Sequence, residues 1–158
     1  MTHASGAHVD GYSLLHRWQA VAPGQPPHSE AARDRLVRWL TRYHDATGVP
    51  ISVFFDGSGA APGVSDSSTP EVEVLFSRAG KTADEMIERA AHRLLEYGEV
   101  WVVTDDSAEQ QTVTALGAIA ISCSNFIRMV EDAVAQLHCR VTRINKAGVS
   151  KFNQPKIK

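Results

Sequence analysis

Ile51-Ser52-Val53-Phe54-Phe55-Asp56-Gly57 is the stretch on which the reading of this chain turns. Pro50 opens it, four of its first five residues are β-branched or aromatic, and Asp-Gly cuts it off. A short apolar run of this kind, with little alternation, reads as a strand buried on both faces, which is the habit of parallel sheets. Upstream, Ser29 is a helix cap, and Ala32, Leu36, Leu40 and Tyr43 recur at helical spacing until Gly48. Downstream, Val72 to Phe76 reads as a second strand with Glu71 and Glu73 marking a wet face. Thr82 and Glu85 then have capping-box spacing and open a helix carrying Ile87, Ala90, Ala91, Leu94 and Leu95, which Gly98 ends.

The same rhythm continues to both ends. Ala4 to His8 reads as a short, weak strand leading into Val9 and Asp10. Val100 to Val103 is another buried strand, ending in Thr104-Asp105-Asp106. Ser107 and Gln110 repeat a capping pattern, and a helix runs to about Gly117. Ala118 to Ile121 is a short strand, and a last helix runs from about Ser124 to His138 with Phe126, Ile127, Val130, Val134 and Leu137 as its stripe. Strands alternating with helices predict an α/β fold with a mostly parallel sheet covered on both faces. The domain is expected over residues 1–138, followed by a basic, flexible tail over 139–158. The segment 57–70, rich in Gly, Ser and Pro, is expected to be a mobile loop.

Composition narrows the function classes. The chain has 158 residues, enough for one domain with a core, and 43% are hydrophobic, so it is not a disordered chain. A net charge of −2 provides no global basic field, so any nucleic-acid contact must come from local patches. Cys123 and Cys139 lack metal-ligand spacing and are too few for a disulfide scaffold, so they read as reduced thiols. The first residues lack the apolar core of a signal peptide, and no stretch reaches the roughly 20 apolar residues of a membrane span, so a cytoplasmic protein is expected.

Ligands of open α/β sheets bind beyond the carboxyl ends of the strands. Asp10, Asp56 and Asp105-Asp106 follow three of the strands, and Asp84 sits in the first turn of the helix capped by Thr82. Any one of these acids is explained by turn and cap chemistry, which Asp serves well. Together they are better explained by hard cations such as Mg²⁺ or Mn²⁺, which require anionic oxygen, whereas turns would also use Asn, Ser and Gly. No Gly-x-Ser-x-Gly elbow or supported Cys/His arrangement offers a competing nucleophile. Arg78 and Lys81 flank the start of the Asp84 helix and can meet phosphates or simply be solvated. Tyr12 and Trp18 can stack on a base, although packing against the sheet is the commoner use of such rings. The basic residues from Arg140 to Lys158 suit phosphate contacts or mere solubility.

VDGYSLL at 9–15, VFFDG at 53–57, VEVLFS followed by KTADEMIE within 72–88, and VVTDDSAEQ at 102–110 resemble the YacP-type NYN domains, which are PIN-like nucleases. ARDRLVRWL at 32–40 is similar to that family's first helix. The resemblance spans about residues 9 to 135 in matching order. It implies a three-layer α/β/α fold and cleavage of RNA dependent on Mg²⁺ or Mn²⁺, with Asp10, Asp56, Asp84 and Asp106 as metal-holding catalytic acids. Ser13, Thr104 and Asp105 would support them. One branch of the family is a ribosome-associated mRNA endonuclease, which makes RNA the expected partner and the ribosome a second one. The alternative is a NYN module that binds RNA or the ribosome without cleaving. It is motivated by Ser13, where relatives usually have Asn, and by the polar first strand.

Overall fold

A computed structural model describes residues 4–57, 63–64, 68–78 and 81–152. Its elements are strand β1 (Ala4–Asp10), helix α1 (Gly11–Arg17), helix α2 (Glu30–Thr47) and strand β2 (Ile51–Phe55). Then come strands β3 (Gly63–Val64) and β4 (Val72–Phe76), helix α3 (Ala83–Leu94), strand β5 (Glu99–Val103), helix α4 (Ser107–Leu116), strand β6 (Ile119–Ile121) and helix α5 (Cys123–Phe152). The sheet order is β3-β4-β2-β1-β5-β6, parallel throughout except for β3, which runs antiparallel along β4. This is the expected α/β architecture, a mostly parallel sheet with helices on both faces.

The alternation of side chains along β2 divides the core. Val53 and Phe55 point into a layer closed by α1, α2 and α5, where Leu14, Leu36, Leu40 and Phe126 are fully buried. Phe54 points the opposite way and meets Ile87 and Ala91 of α3 and Val113 of α4. Each face of the sheet is therefore covered, which is why β2 lacks polar alternation. Ser29 caps α2 through a bond accepted from the Ala32 amide (3.2 Å), and Gly48 ends it at φ 76°, a left-handed position that favours glycine.

The chain enters the sheet at its centre. Because β2 and β4 extend one side of β1 while β5 and β6 extend the other, the connections reverse direction around β1. That reversal makes the carboxyl ends of β1, β2 and β5 the place where open α/β sheets bind their ligands.

Several sequence expectations change. β1 is not weak: seven residues long, it is paired on both sides, with Val9 opposite Val53 and Val103. The small residues Gly6 and Ala7 admit close neighbours, since a Cβ on Gly6 would lie 2.5 Å from Leu94 Cδ2. Helix α1 was not expected; Asp10 caps it. The last helix does not stop near His138 but continues to Phe152, so residues 139–152 of the expected tail are helical. No proline interrupts that stretch, and Val141 and Ile144 prolong the apolar spacing of Val134 and Leu137. Helix α4 is capped by Asp106, not by Ser107. Most of the expected loop at 57–70 lies outside the described residues, and β3 falls within it. The expected tail at 153–158 also lies outside them.

Candidate metal centre

Asp10 ends β1 and turns directly into α1, where its Oδ1 accepts a long bond from the Ser13 amide (3.4 Å). Asp84 comes from the first turn of α3, and Glu109 from the first turn of α4. One carboxylate oxygen from each of Asp10, Asp84 and Glu109 lies within 4.8 Å of the other two. Three elements far apart in sequence thus deliver three carboxyls to one point at the sheet's rim.

The electrostatics of this point are adverse. Burial pushes the Asp10 carboxyl up to about 6, the Ser13 amide works against that, and the charges of Asp84, Asp56 and Asp106 raise it further. Glu109 is pushed up to about 8, first by burial and then, despite the nearby Thr104 hydroxyl, by Asp84 and Asp10. Glu109 is 2% exposed, and among the described residues neither of its carboxyl oxygens has a hydrogen-bond partner of normal geometry. A buried, unpaired carboxyl is expensive unless a proton or a cation neutralises it. The donor set is all oxygen, as Mg²⁺ and Mn²⁺ prefer, so the residues present fit a hard divalent ion.

The other expected residues surround this trio. Asp56 follows β2 and is exposed; its Oδ1 accepts from the Ala83 amide (2.6 Å) at the start of α3, beside the cap supplied by Thr82. Asp106 is also exposed, and its Oδ1 accepts from the amides of Ala108 (2.9 Å) and Glu109 (3.2 Å). Both lie near enough for their charge to reach Asp10, yet each has an oxygen committed to a helix amide. Asp10 and Asp84 therefore enter the tight cluster, while Asp56 and Asp106 flank it.

Thr104 is fully buried, and its Oγ1 accepts from the Asp106 amide (3.1 Å), while its carbonyl accepts from Gln110 Nε2 (2.8 Å). Ser13 Oγ accepts from the Asp105 amide (3.1 Å) and sits 3.5 Å from the buried Cys123 Sγ. Asp105 in turn accepts from the Cys123 amide (2.9 Å) at the start of α5 and lies 3.8 Å from Arg17 Nε. Asp105 thus ties α5 to the turn after β5 and is not one of the three clustered acids. Burial raises the Cys123 thiol to about 12, so it is an inert packing group. Arg78 and Lys81 are exposed, joined by a backbone bond from the Lys81 amide to the Arg78 carbonyl (3.0 Å). Trp18 is buried against Trp39, whereas Tyr12 is only half-buried.

Glu109 is absent from the acids that the strand ends single out. A signal for it exists. With the cap at Asp106, Glu109 lies on the same helical face as Val113, four residues on, and a carboxyl on the inward face of an amphipathic helix is anomalous. Reading the cap one residue late, at Ser107, conceals this.

The reversing parallel sheet carries an acidic cluster at its rim, as suits a nuclease-type α/β domain. The chain belongs to the YacP-like NYN domain family, whose model matches residues 8–157. It is 31% identical over 137 residues to YacP of Bacillus subtilis (strain 168), an alignment covering 86% of this chain and 81% of that protein. It also resembles the crystal structure of Rae1 (YacP) from Bacillus subtilis, with a TM-score of 0.77 at 28% identity over 92% of this chain and 84% of that one. A point mutant of the same protein superposes with a TM-score of 0.74 at 28% identity, covering 96% of this chain and 85% of that one. Among the described residues, no helix is long and apolar enough to cross a membrane.

Proposed function

We propose that this protein is a metal-dependent endoribonuclease that cleaves single-stranded RNA. The observation that carries the reading is the meeting of Asp10, Asp84 and Glu109 within 4.8 Å, with both Glu109 oxygens buried and without a hydrogen-bond partner among the described residues. These three residues would hold Mg²⁺ or Mn²⁺, with Asp56 and Asp106 beside them. The chemistry that such an ion supplies when bound is acidification of a water and neutralisation of charge on the phosphoryl oxygens. The chain's own part is positional. Thr104 anchors the turn bearing Asp106, Ser13 anchors that bearing Asp105, and the raised carboxyls of Asp10 and Glu109 give up their protons when countercharge arrives. Arg78 and Lys81, at the approach to α3, are suited to hold phosphates on the strand being cut. The family resemblance makes mRNA on the ribosome the form of substrate to try first.

The test is cleavage of a single-stranded RNA in Mn²⁺ by the protein and by its Asp84→Asn, Glu109→Gln and Asp56→Asn variants. Loss of cleavage in the first two supports the trio. Equal cleavage by all four proteins refutes the site. The alternative of a binding module without turnover predicts RNA binding that persists in chelator and no cleavage by the unaltered protein.

A further inference from the structure

Beside the acids lies a row of rings that the cleavage chemistry does not use. Tyr12 stands two residues after Asp10, a separation of at most about 7 Å along the chain. Its ring lies 4.6 Å from that of His28, and His28 lies 5.0 Å from His16. His16 and His28 are exposed and Tyr12 is half-buried, so the row faces solvent. It is backed by core: Tyr12 packs 4.8 Å from Phe55, which is fully buried and stacks on Phe76. Arg33 binds the row from the side. Its guanidinium lies over Phe55 and Phe76 (5.9 and 5.5 Å), donates to the His28 carbonyl (2.8 Å) and reaches the Tyr12 hydroxyl (3.5 Å).

Two features distinguish this row from ordinary packing. Exposed rings held in register by a buried base have little conformational entropy left to lose, which favours a ligand. The charge pattern also changes abruptly past Asp10: from Gly11 to Ser29 the sequence contains no aspartate or glutamate, and its only full-time cation there is Arg17. A polyanion crossing the acidic trio would meet no carboxylate from this stretch itself, and Asp105 is paired with Arg17. Exposed aromatic rings are one of the means by which proteins hold single strands, because every base offers a π-face.

We infer that Tyr12, His16 and His28, braced by Phe55 and Arg33, form a stacking shelf for a base of single-stranded RNA next to the acidic trio. The inference rests on the nuclease reading for its substrate, but it concerns binding rather than chemistry. It is measured in EDTA, by fluorescence anisotropy of a short labelled single-stranded oligoribonucleotide, with thermal melts as the check on folding.

Replacing both exposed rings, His16→Ala with His28→Ala, is expected to weaken binding on the order of tenfold, within the range of 1–3 kcal/mol per stacked base. His28→Phe should retain binding within about threefold, because it keeps the ring and discards the imidazole. An oligonucleotide with abasic sites should bind the unaltered protein as weakly as the intact one binds the double variant. Undiminished binding by a folded double variant, or equal binding of intact and abasic strands, overturns the shelf. Cleavage in Mn²⁺ is scored separately. A protein that cleaves RNA but binds identically with and without the two rings loses the shelf and keeps the nuclease reading. One that never cleaves but shows the stacking loss keeps the shelf and loses that reading.

Discussion

Asp84 of α3 and Glu109 of α4 bring carboxyl oxygens within 4.8 Å of each other although 25 positions separate them in sequence. The two helices cover the same face of the sheet, and each presents an acid from its first turn to the end of β1. Helix N-termini favour negative charge, which offsets part of the cost of gathering these groups. The remainder is left for a cation or a proton.

Cation uptake should therefore appear as stability. A ligand that binds only the folded state at a hundred times its Kd adds about 2.7 kcal/mol. For a chain of this size that is a rise of roughly 5–10 °C in Tm. Mn²⁺ is expected to raise the melting temperature of the protein at pH 7.5 and to leave that of Glu109→Gln nearly unchanged. Differential scanning fluorimetry reads both, and an equal rise in the two proteins would place the ion elsewhere.

The acids also set a pH dependence in metal-free protein. Asp10 stands at about 6 against 3.8, and Glu109 at about 8 against 4.5. Both values are raised by folding, so the folded state binds more protons than the unfolded one across those windows. The associated stability is present below about pH 4 and is lost as pH rises to about 8. Between pH 6.5 and 8 most of this loss comes from Glu109. In EDTA, Tm is expected to fall across that interval for the unaltered protein and to stay flat for Glu109→Gln.

His8 acts in the opposite sense. It is 6% exposed on β1, against the Phe54 ring, with neither ring nitrogen hydrogen-bonded among the described residues, and burial holds its pKa near 4 rather than 6.5. A base depressed by folding contributes stability above its unfolded pKa, which is lost as pH falls from 6.5 towards 4. His8→Leu should therefore raise Tm more at about pH 5 than at about pH 7.5. A gain of the same size at both pH values would mean that protonation of this ring plays no part.

Gly11 allows the turn from β1 into α1 to lie on Phe55. A Cβ there would stand 2.2 Å from Phe55 Cε1, closer than any real contact. Gly11→Ala should destabilise by about 1–3 kcal/mol, the usual range for overpacking a filled core. Because Asp10 and Tyr12 flank it, metal uptake should weaken as well. Chemical denaturation and Mn²⁺ titration measure the two effects.

Capping and charge can be separated at Asp106. Asn caps helices about as well as Asp, so Asp106→Asn should change stability by less than about 0.5 kcal/mol while deleting a charge that acts on Asp10. A pKa of Asp10 that drops in this variant, followed by carboxyl NMR in EDTA, is the expected result. A large loss of stability would show that the ionised carboxylate is needed for the cap.

The architecture was legible in the chain because its signals are local. The unbroken apolar run at Ile51–Phe55, the caps at Ser29 and Thr82 and the stop at Gly48 depend on neighbours within a few positions. Acids after three strands were legible for the same reason, and Asp10 and Asp84 do enter the cluster. What local signals do not carry is the rotation of a helix about its axis. That of α4 follows from Val113 packing under the sheet, and it carries Glu109 inward to the trio. The same long-range packing brings Ser13, Asp105 and Cys123 together across more than ninety residues and lines up His16 and His28 from either side of a loop. Strand and helix identity follow from periodicity along the chain, whereas the distance between two side chains on different elements is decided only when the sheet closes against both of its helical layers.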